Sequence, residues 1–204
     1  MSLLTQQATL TLGSMFSGYG GLDLAIHEVF DAETKWLAEF DAAPSKILQA
    51  RFPGVPNLHD VTAVDWSTVE PVDIIAGGSP CQDVSHAGRR AGMTGTTRSN
   101  LWVAMREAIA TIRPTWVVWE NVRGALSAKA ESASDGEMES GEGPLGATGP
   151  QLRAMGRVLG DLASLGYDAE WRVVRASEVG SPHQRARVFV LAHRERPATD
   201  PVRR

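Results

Sequence analysis

The chain has a single cysteine, Cys81, among 204 residues. No disulfide can form within it, and a reducing, intracellular setting is expected. Long apolar runs are also missing. Nothing approaches the roughly 20 residues that cross a bilayer as a helix, so no membrane partner is expected. The opening MSLLTQQATLTL lacks the basic start and apolar core of a secretory signal, which makes the expected location cytoplasmic. Basic residues are not in excess: 20 Lys and Arg stand against 24 Asp and Glu, a formal net charge of -4. That total does not advertise a nucleic-acid binder, but the charge is unevenly spread. Acids concentrate between Glu131 and Glu142, whereas Arg185, Arg187, Arg194, Arg196, Arg203 and Arg204 crowd the C-terminus. From Glu131 to Pro150 apolar residues nearly vanish and Gly, Ser and Glu dominate, so a disordered surface loop is expected there.

What is present is an alternation of short apolar runs with helical spacing. Thr9 to Phe16 reads as a strand, Ser17 to Gly21 as a tight turn and Leu22 to Phe30 as a helix. Trp36 to Glu39 reads as a second strand and Ala43 to Arg51 as a helix; a third strand-like segment precedes Asp60. Val72 to Gly77 is a buried-strand candidate, Leu101 to Ile112 a helix and Trp116 to Glu120 an apolar strand. Leu152 to Leu165 reads as a helix, and Trp171 to Arg175 and Arg187 to Ala192 as strands. This order predicts βαβ units and a mainly parallel sheet, with ligands at the carboxyl ends of its strands. The length suits one α/β domain, expected over 1–193, followed by a tail over 194–204.

Two strand ends carry candidate chemistry. Gly18, Gly20 and Gly21 permit positive φ and close approach of a ligand before a helix N-terminus. About 20 residues on, Glu39 stands where an acidic residue can bind ribose hydroxyls. The spacing is G-x-G-G rather than G-x-G-x-x-G, which favours a nucleoside with an amino-acid tail, such as S-adenosylmethionine, over a dinucleotide. Asp60 is a candidate acceptor for an adenine amino group. By itself the turn is equally compatible with a purely structural role. At the second end, Gly77-Gly78-Ser79-Pro80-Cys81-Gln82 follows a buried strand. A lone cysteine is usually an inert small hydrophobe, but this one lies in a loop at the ligand-bearing edge, with its backbone restrained by Pro80. Glu120 and the pair Arg185 and Arg187 are expected to converge on it from other strand ends.

The residues resemble the DNA cytosine-5 methyltransferases. Phe16-Ser17-Gly18-Tyr19-Gly20-Gly21-Leu22 is similar to the first motif of that family, Pro80-Cys81-Gln82 to its catalytic loop, Glu120-Asn121-Val122 to its glutamate motif and Gln184-Arg185-Ala186-Arg187 to its paired-arginine motif. Four motifs in order and at similar spacing make the resemblance specific. It implies a class I S-adenosylmethionine-dependent methyltransferase fold, Rossmann-like, with a mainly parallel sheet and an antiparallel strand near the C-terminus. It also implies roles. Phe16 to Leu22 would line the cofactor site, with Glu39 on ribose, Phe40 stacked on adenine, Asp60 and Val61 flanking that ring, and Pro80 and Leu101 closing the site. Cys81 would be the nucleophile, with Glu120, Arg185 and Arg187 as its catalytic partners. Gln82, Ser85, Arg89, Arg90 and Arg98 would contact double-stranded DNA, arginine suiting phosphate. No metal is expected.

The reaction explains those residue types. Thiolate addition to carbon 6 of cytosine makes carbon 5 enamine-like and able to take a methyl group. Guanidinium charge favours thiolate, Arg187 would hold the base carbonyl, and Glu120 would neutralise charge at ring nitrogen 3. Inside a duplex the base must first be flipped out. Two departures stand out: His183 occupies a position often held by glutamine, and the chain ends soon after Leu191-Ala192, where family members continue into a target-recognition region and further motifs. Three readings follow: an enzyme that reads its site with a second protein chain, a truncated fragment without activity, or a non-enzymatic cofactor- or DNA-binding module.

Overall fold

A computed structural model of the chain describes residues 9–79, 101–126 and 154–195. The expected loop over 131–150 and most of the tail lie outside these residues, as do Pro80, Cys81, Gln82, Ser85, Arg89, Arg90 and Arg98.

Among the described residues six strands form one sheet: β1 Leu10–Met15, β2 Ala32–Ala38, β3 Ile74–Gly77, β4 Trp116–Val122, β5 Asp168–Arg175 and β6 Ala186–His193. Their spatial order is β2-β1-β3-β4-β6-β5. β1 pairs in parallel with β2 and β3, and β3 with β4, whereas β6 runs antiparallel to both neighbours. The described α-helices between the strands are α1 Gly21–Phe30, α2 Ala42–Arg51, α3 Leu101–Ile112 and α4 Ala154–Ser164.

Local sequence accounts for most of the boundaries. All four residues of β3 are buried, as a central strand covered on both faces requires. Leu22, Ile26 and Phe30 fall one helical turn apart on α1 and pack with Leu12, Ile74, Ala76 and Val118. That helix stops at Asp31, which takes left-handed geometry and returns its N–H to the His27 carbonyl. β2 then begins at once, four residues earlier than the apolar pattern suggests, because its first residues pair with β1, Leu10 opposite Ala32 and Leu12 opposite Thr34. On the opposite sheet face Trp102, Met105 and Ile109 of α3 meet Val158 and Leu162 of α4, Trp119 of β4 and Val188 and Val190 of β6. α3 closes at Arg113 in left-handed geometry, its N–H on the Ile109 carbonyl, with Pro114 next. Arg194 then donates from Nε to the Pro114 carbonyl at 3.0 Å, tying the end of β6 to that corner.

The strand-like segment expected before Asp60 is not a strand. It makes one isolated bridge, Leu37 with Asn57, since Pro53 and Pro56 deprive it of the amide donors a ladder needs. Two 3-10 turns, Arg123–Leu126 and Ala176–Val179, were not expected from the pattern. Among the described residues no helix is long and apolar enough to cross a membrane.

Candidate active site

Because β1 to β4 are parallel, their carboxyl ends share one edge of the sheet. β1 leads there into Phe16, β2 into Glu39, β3 into Gly78, and β4 ends with Glu120 to Val122. β6 runs the other way, so its first residues arrive at the same edge, with Arg187 opposite Val122 and Phe189 opposite Glu120. β1 connects outward to β2 and β3 onward to β4. The gap between β1 and β3 is therefore the switch point where open α/β sheets form their crevice.

The turn after β1 is built on unusual backbone. Phe16, Gly18 and Gly20 have φ of 55, 53 and 77 degrees, and for Phe16 this is a cost that surrounding contacts must hold. Its N–H donates to the Ala38 carbonyl at 2.8 Å, and its ring packs on the main core. Gly20 must lack a side chain on a second ground, since a Cβ would come within 2.9 Å of the Phe52 ring. Over Gly18 and Gly21 a Cβ would meet nothing within 4 Å, leaving open space above the turn.

Glu39 is buried, and both of its carboxylate oxygens accept backbone N–H groups: Gly18 at 2.7 Å and Asp41 at 2.8 Å. It thus staples the turn to the end of β2 while keeping lone pairs for a further donor. Asn57 fixes the Glu39 backbone in both directions, accepting its N–H at 2.9 Å and donating to its carbonyl at 3.1 Å. Tyr19 and Phe40, 62% and 72% exposed, flank this arrangement. Bare aromatic faces beside an anchored carboxylate and an open glycine turn suit a nucleoside. This is the fit the cofactor expectation requires.

The remaining cofactor-site candidates are spread more widely. Asp60 accepts the N–H and hydroxyl of Thr62, whose hydroxyl above all holds its pKa below the usual carboxylate value. Val61 is buried in the main core, Leu101 packs against it, and Leu22 belongs to the cluster beneath α1. An apolar groove of about 580 Å³, lined by Val29, Phe30, Trp171 and Leu191 among others, includes only Leu22 of the expected site residues.

At the other end of the edge the structure brings Glu120 and Arg187 together, with Arg187 Nε 2.9 Å from Glu120 Oε1. Burial pushes the Glu120 carboxyl above its ordinary pKa, and Arg187 and the exposed Arg185 pull against that. Gly78 lies against the same carboxylate, since a Cβ there would sit 3.0 Å from Oε2. Ser79, the last described residue before Pro80 and Cys81, is caged from β4. Trp119 Nε1 donates to its hydroxyl at 3.1 Å, and Asn121 Nδ2 lies 3.3 Å from both its hydroxyl and its carbonyl oxygen. Trp119 is braced edge-on by Trp102, whose Nε1 donates to Asp161 at 2.8 Å.

Sequence reasoning passed over Ser79, Asn57 and Asp23. Asp23 offered a signal, as an acid beside the apolar stripe of α1, and it is buried at 1% exposure. Ser79 and Asn57 gave none, because their partners arrive from distant segments.

The geometry agrees with what comparison with known proteins finds. A family model for C-5 cytosine-specific DNA methylases matches residues 10–202. The chain belongs to that family. It is 32% identical over 183 residues to the Type II methyltransferase M2.BsuMI of Bacillus subtilis, covering 88% of this chain and 41% of that protein. It is 29% identical to the DNA N-6-adenine-methyltransferase of Escherichia phage P1, covering 90% of this chain and 28% of that protein. Among solved structures it resembles the S. pombe Dnmt2 methyltransferase at a TM-score of 0.67 and 14% identity, covering 93% of this chain and 52% of that one. The last likeness speaks for the fold alone. The chain therefore spans less than half the length of these two curated relatives, and it has the family's mainly parallel sheet with one antiparallel strand near the C-terminus.

Proposed function

We propose that the chain is the catalytic part of an enzyme that methylates carbon 5 of a flipped-out cytosine in double-stranded DNA. The observation that carries this reading is the Glu120–Arg187 pair, held at the strand ends beside the loop that leads to Cys81. S-adenosylmethionine, when bound over the Phe16 to Leu22 turn, supplies an electrophilic methyl group. Glu39 and Asp60 hold its ribose and adenine, and the rings of Tyr19 and Phe40 cover its nucleoside.

The protein residues divide the remaining work. Cys81 adds as thiolate to carbon 6, moving an electron pair toward carbon 5. Arg187 donates to the base carbonyl. Glu120, with its pKa raised by burial, delivers or shares a proton at ring nitrogen 3, where charge builds during the addition. After methylation, loss of the carbon 5 proton to a base expels the thiolate and restores aromaticity. Gln82, Ser85, Arg89, Arg90 and Arg98 meet the DNA around the extruded base. Choice of the target sequence falls to a recognition region of the kind longer relatives have room for.

The test is product analysis. DNA incubated with methyl-labelled S-adenosylmethionine and the chain, alone and with a chain carrying a recognition region, is digested to nucleosides. Label in 5-methylcytosine is expected. Label in N6-methyladenine alone, or none under either condition, would contradict the reading.

A further inference from the structure

β4 sends alternate side chains to opposite faces of the sheet, and at its carboxyl end both sets hold the segment that leads to Cys81. Glu120 lies on one face, where Gly78 packs so closely that a Cβ would stand 3.0 Å from Oε2. Trp119 and Asn121 lie on the other, and both close on Ser79. The Trp119 indole N–H donates to the Ser79 hydroxyl at 3.1 Å, and Asn121 Nδ2 lies 3.3 Å from that hydroxyl and from the Ser79 carbonyl oxygen. The Asn121 amide oxygen accepts the Val122 N–H at 2.7 Å, which turns the amide nitrogen toward Ser79. Ser79, Trp119 and Asn121 are 4%, 0% and 3% exposed, so water does not replace a bond lost among them. Trp119 is steadied in turn by Trp102, whose indole N–H is held on Asp161.

The Ser79 carbonyl belongs to the peptide that carries the Pro80 nitrogen. That peptide is planar, and the proline ring fixes the next φ. Orienting the carbonyl therefore leaves Pro80 ψ and Cys81 φ as the soft backbone rotations ahead of the Cys81 side chain. We propose that Ser79 is a positioning residue, clamped by Trp119 and Asn121 so that the Cys81 thiol is set at a fixed place relative to Glu120. One strand then carries the acid and anchors the nucleophile. The proposal rests on the reading of Cys81 as nucleophile and adds residues that act through its loop rather than on the base. Misplacing a reacting group by 1 Å lowers a rate by about a hundredfold, so a looser anchor should be visible in turnover.

Steady-state methyl transfer to DNA, assayed with a chain carrying a recognition region, tests this on Ser79→Ala, Trp119→Phe and the double variant. Trp119→Phe keeps an aromatic ring and removes the same bond from the other side, so it serves alone should Ser79→Ala not fold. Each single variant is expected to lower kcat by roughly tenfold, with KM for DNA and for S-adenosylmethionine within about twofold of wild type. Because both substitutions remove one bond, the double variant should lose roughly tenfold rather than a hundredfold. Unchanged kcat, a rise in KM alone, or losses that multiply in the double variant would overturn the positioning role and leave the methyl-transfer reading standing. A wild-type chain that forms no 5-methylcytosine in the same assay would overturn both.

Discussion

Arg187 Nε and Glu120 Oε1 meet at 2.9 Å across the antiparallel pairing of β6 with β4. Only a strand running against the parallel set brings its first residues to the edge where the other strands end. The pair is partly buried, so the carboxylate feels both desolvation and its cation.

That balance has a sign. Burial raises the folded pKa of Glu120 above its ordinary 4.5, so its contribution to stability is full below that value and is lost as pH rises through the raised one. Melting of wild type against Glu120→Gln should show the wild-type advantage shrinking over this window. In Arg187→Ala the loss should extend to higher pH, because the opposing charge is gone. A wild-type advantage that grows with pH would contradict the assignment.

Gly78→Ala tests the wall behind Glu120. The added Cβ would stand 3.0 Å from Oε2 and must displace the carboxylate or the loop. A fall of about tenfold or more in methyl transfer is expected, with a melting temperature within a few degrees of wild type, since Gly78 is only partly buried. Unchanged kinetics would show that Glu120 position is not critical.

Gly13→Ala should instead damage the fold. Its Cβ would fall 2.1 Å from the Trp36 indole, where the β1–β2 register shifts past Lys35 and sets Gly13 opposite Trp36. Overpacking of this kind costs about 1–3 kcal/mol, readable by urea denaturation. A neutral result would mean that Trp36 shifts freely despite its bond to the Glu70 carbonyl.

Element order and sheet type were legible because helix and strand periods alternate cleanly from Leu10 to His193. The start of β2 was not, since Ala32 to Lys35 carry no apolar alternation and the strand is defined by pairing with β1. Candidate residues at strand ends were legible for the same topological reason. Their contacts were not: Ser79 is caged by Trp119 and Asn121 from about 40 residues away, and no local pattern encodes such a distance. Glu39 was placed by spacing from the glycine turn, yet its two backbone bonds give it a structural duty that spacing does not disclose.

That duty shapes the expected behaviour of Glu39→Ala. Loss of the carboxylate leaves the Gly18 and Asp41 N–H groups without their acceptor, at a cost of about 1–3 kcal/mol if they stay dry. Cofactor affinity should fall together with stability, by calorimetry and thermal melting on the same sample. Unaltered affinity would contradict a ribose contact.

On the proposed mechanism Cys81 forms a covalent bond to cytosine, with Glu120 and Arg187 as its partners. Trapping with duplex DNA containing 5-fluorocytosine, in the presence of S-adenosylmethionine and a chain carrying a recognition region, tests it most directly. A denaturation-resistant protein–DNA adduct is predicted, because fluorine at carbon 5 cannot leave as a proton does; Cys81→Ser should abolish it. No adduct with the wild-type chain, or one that persists in Cys81→Ser, would contradict the claim.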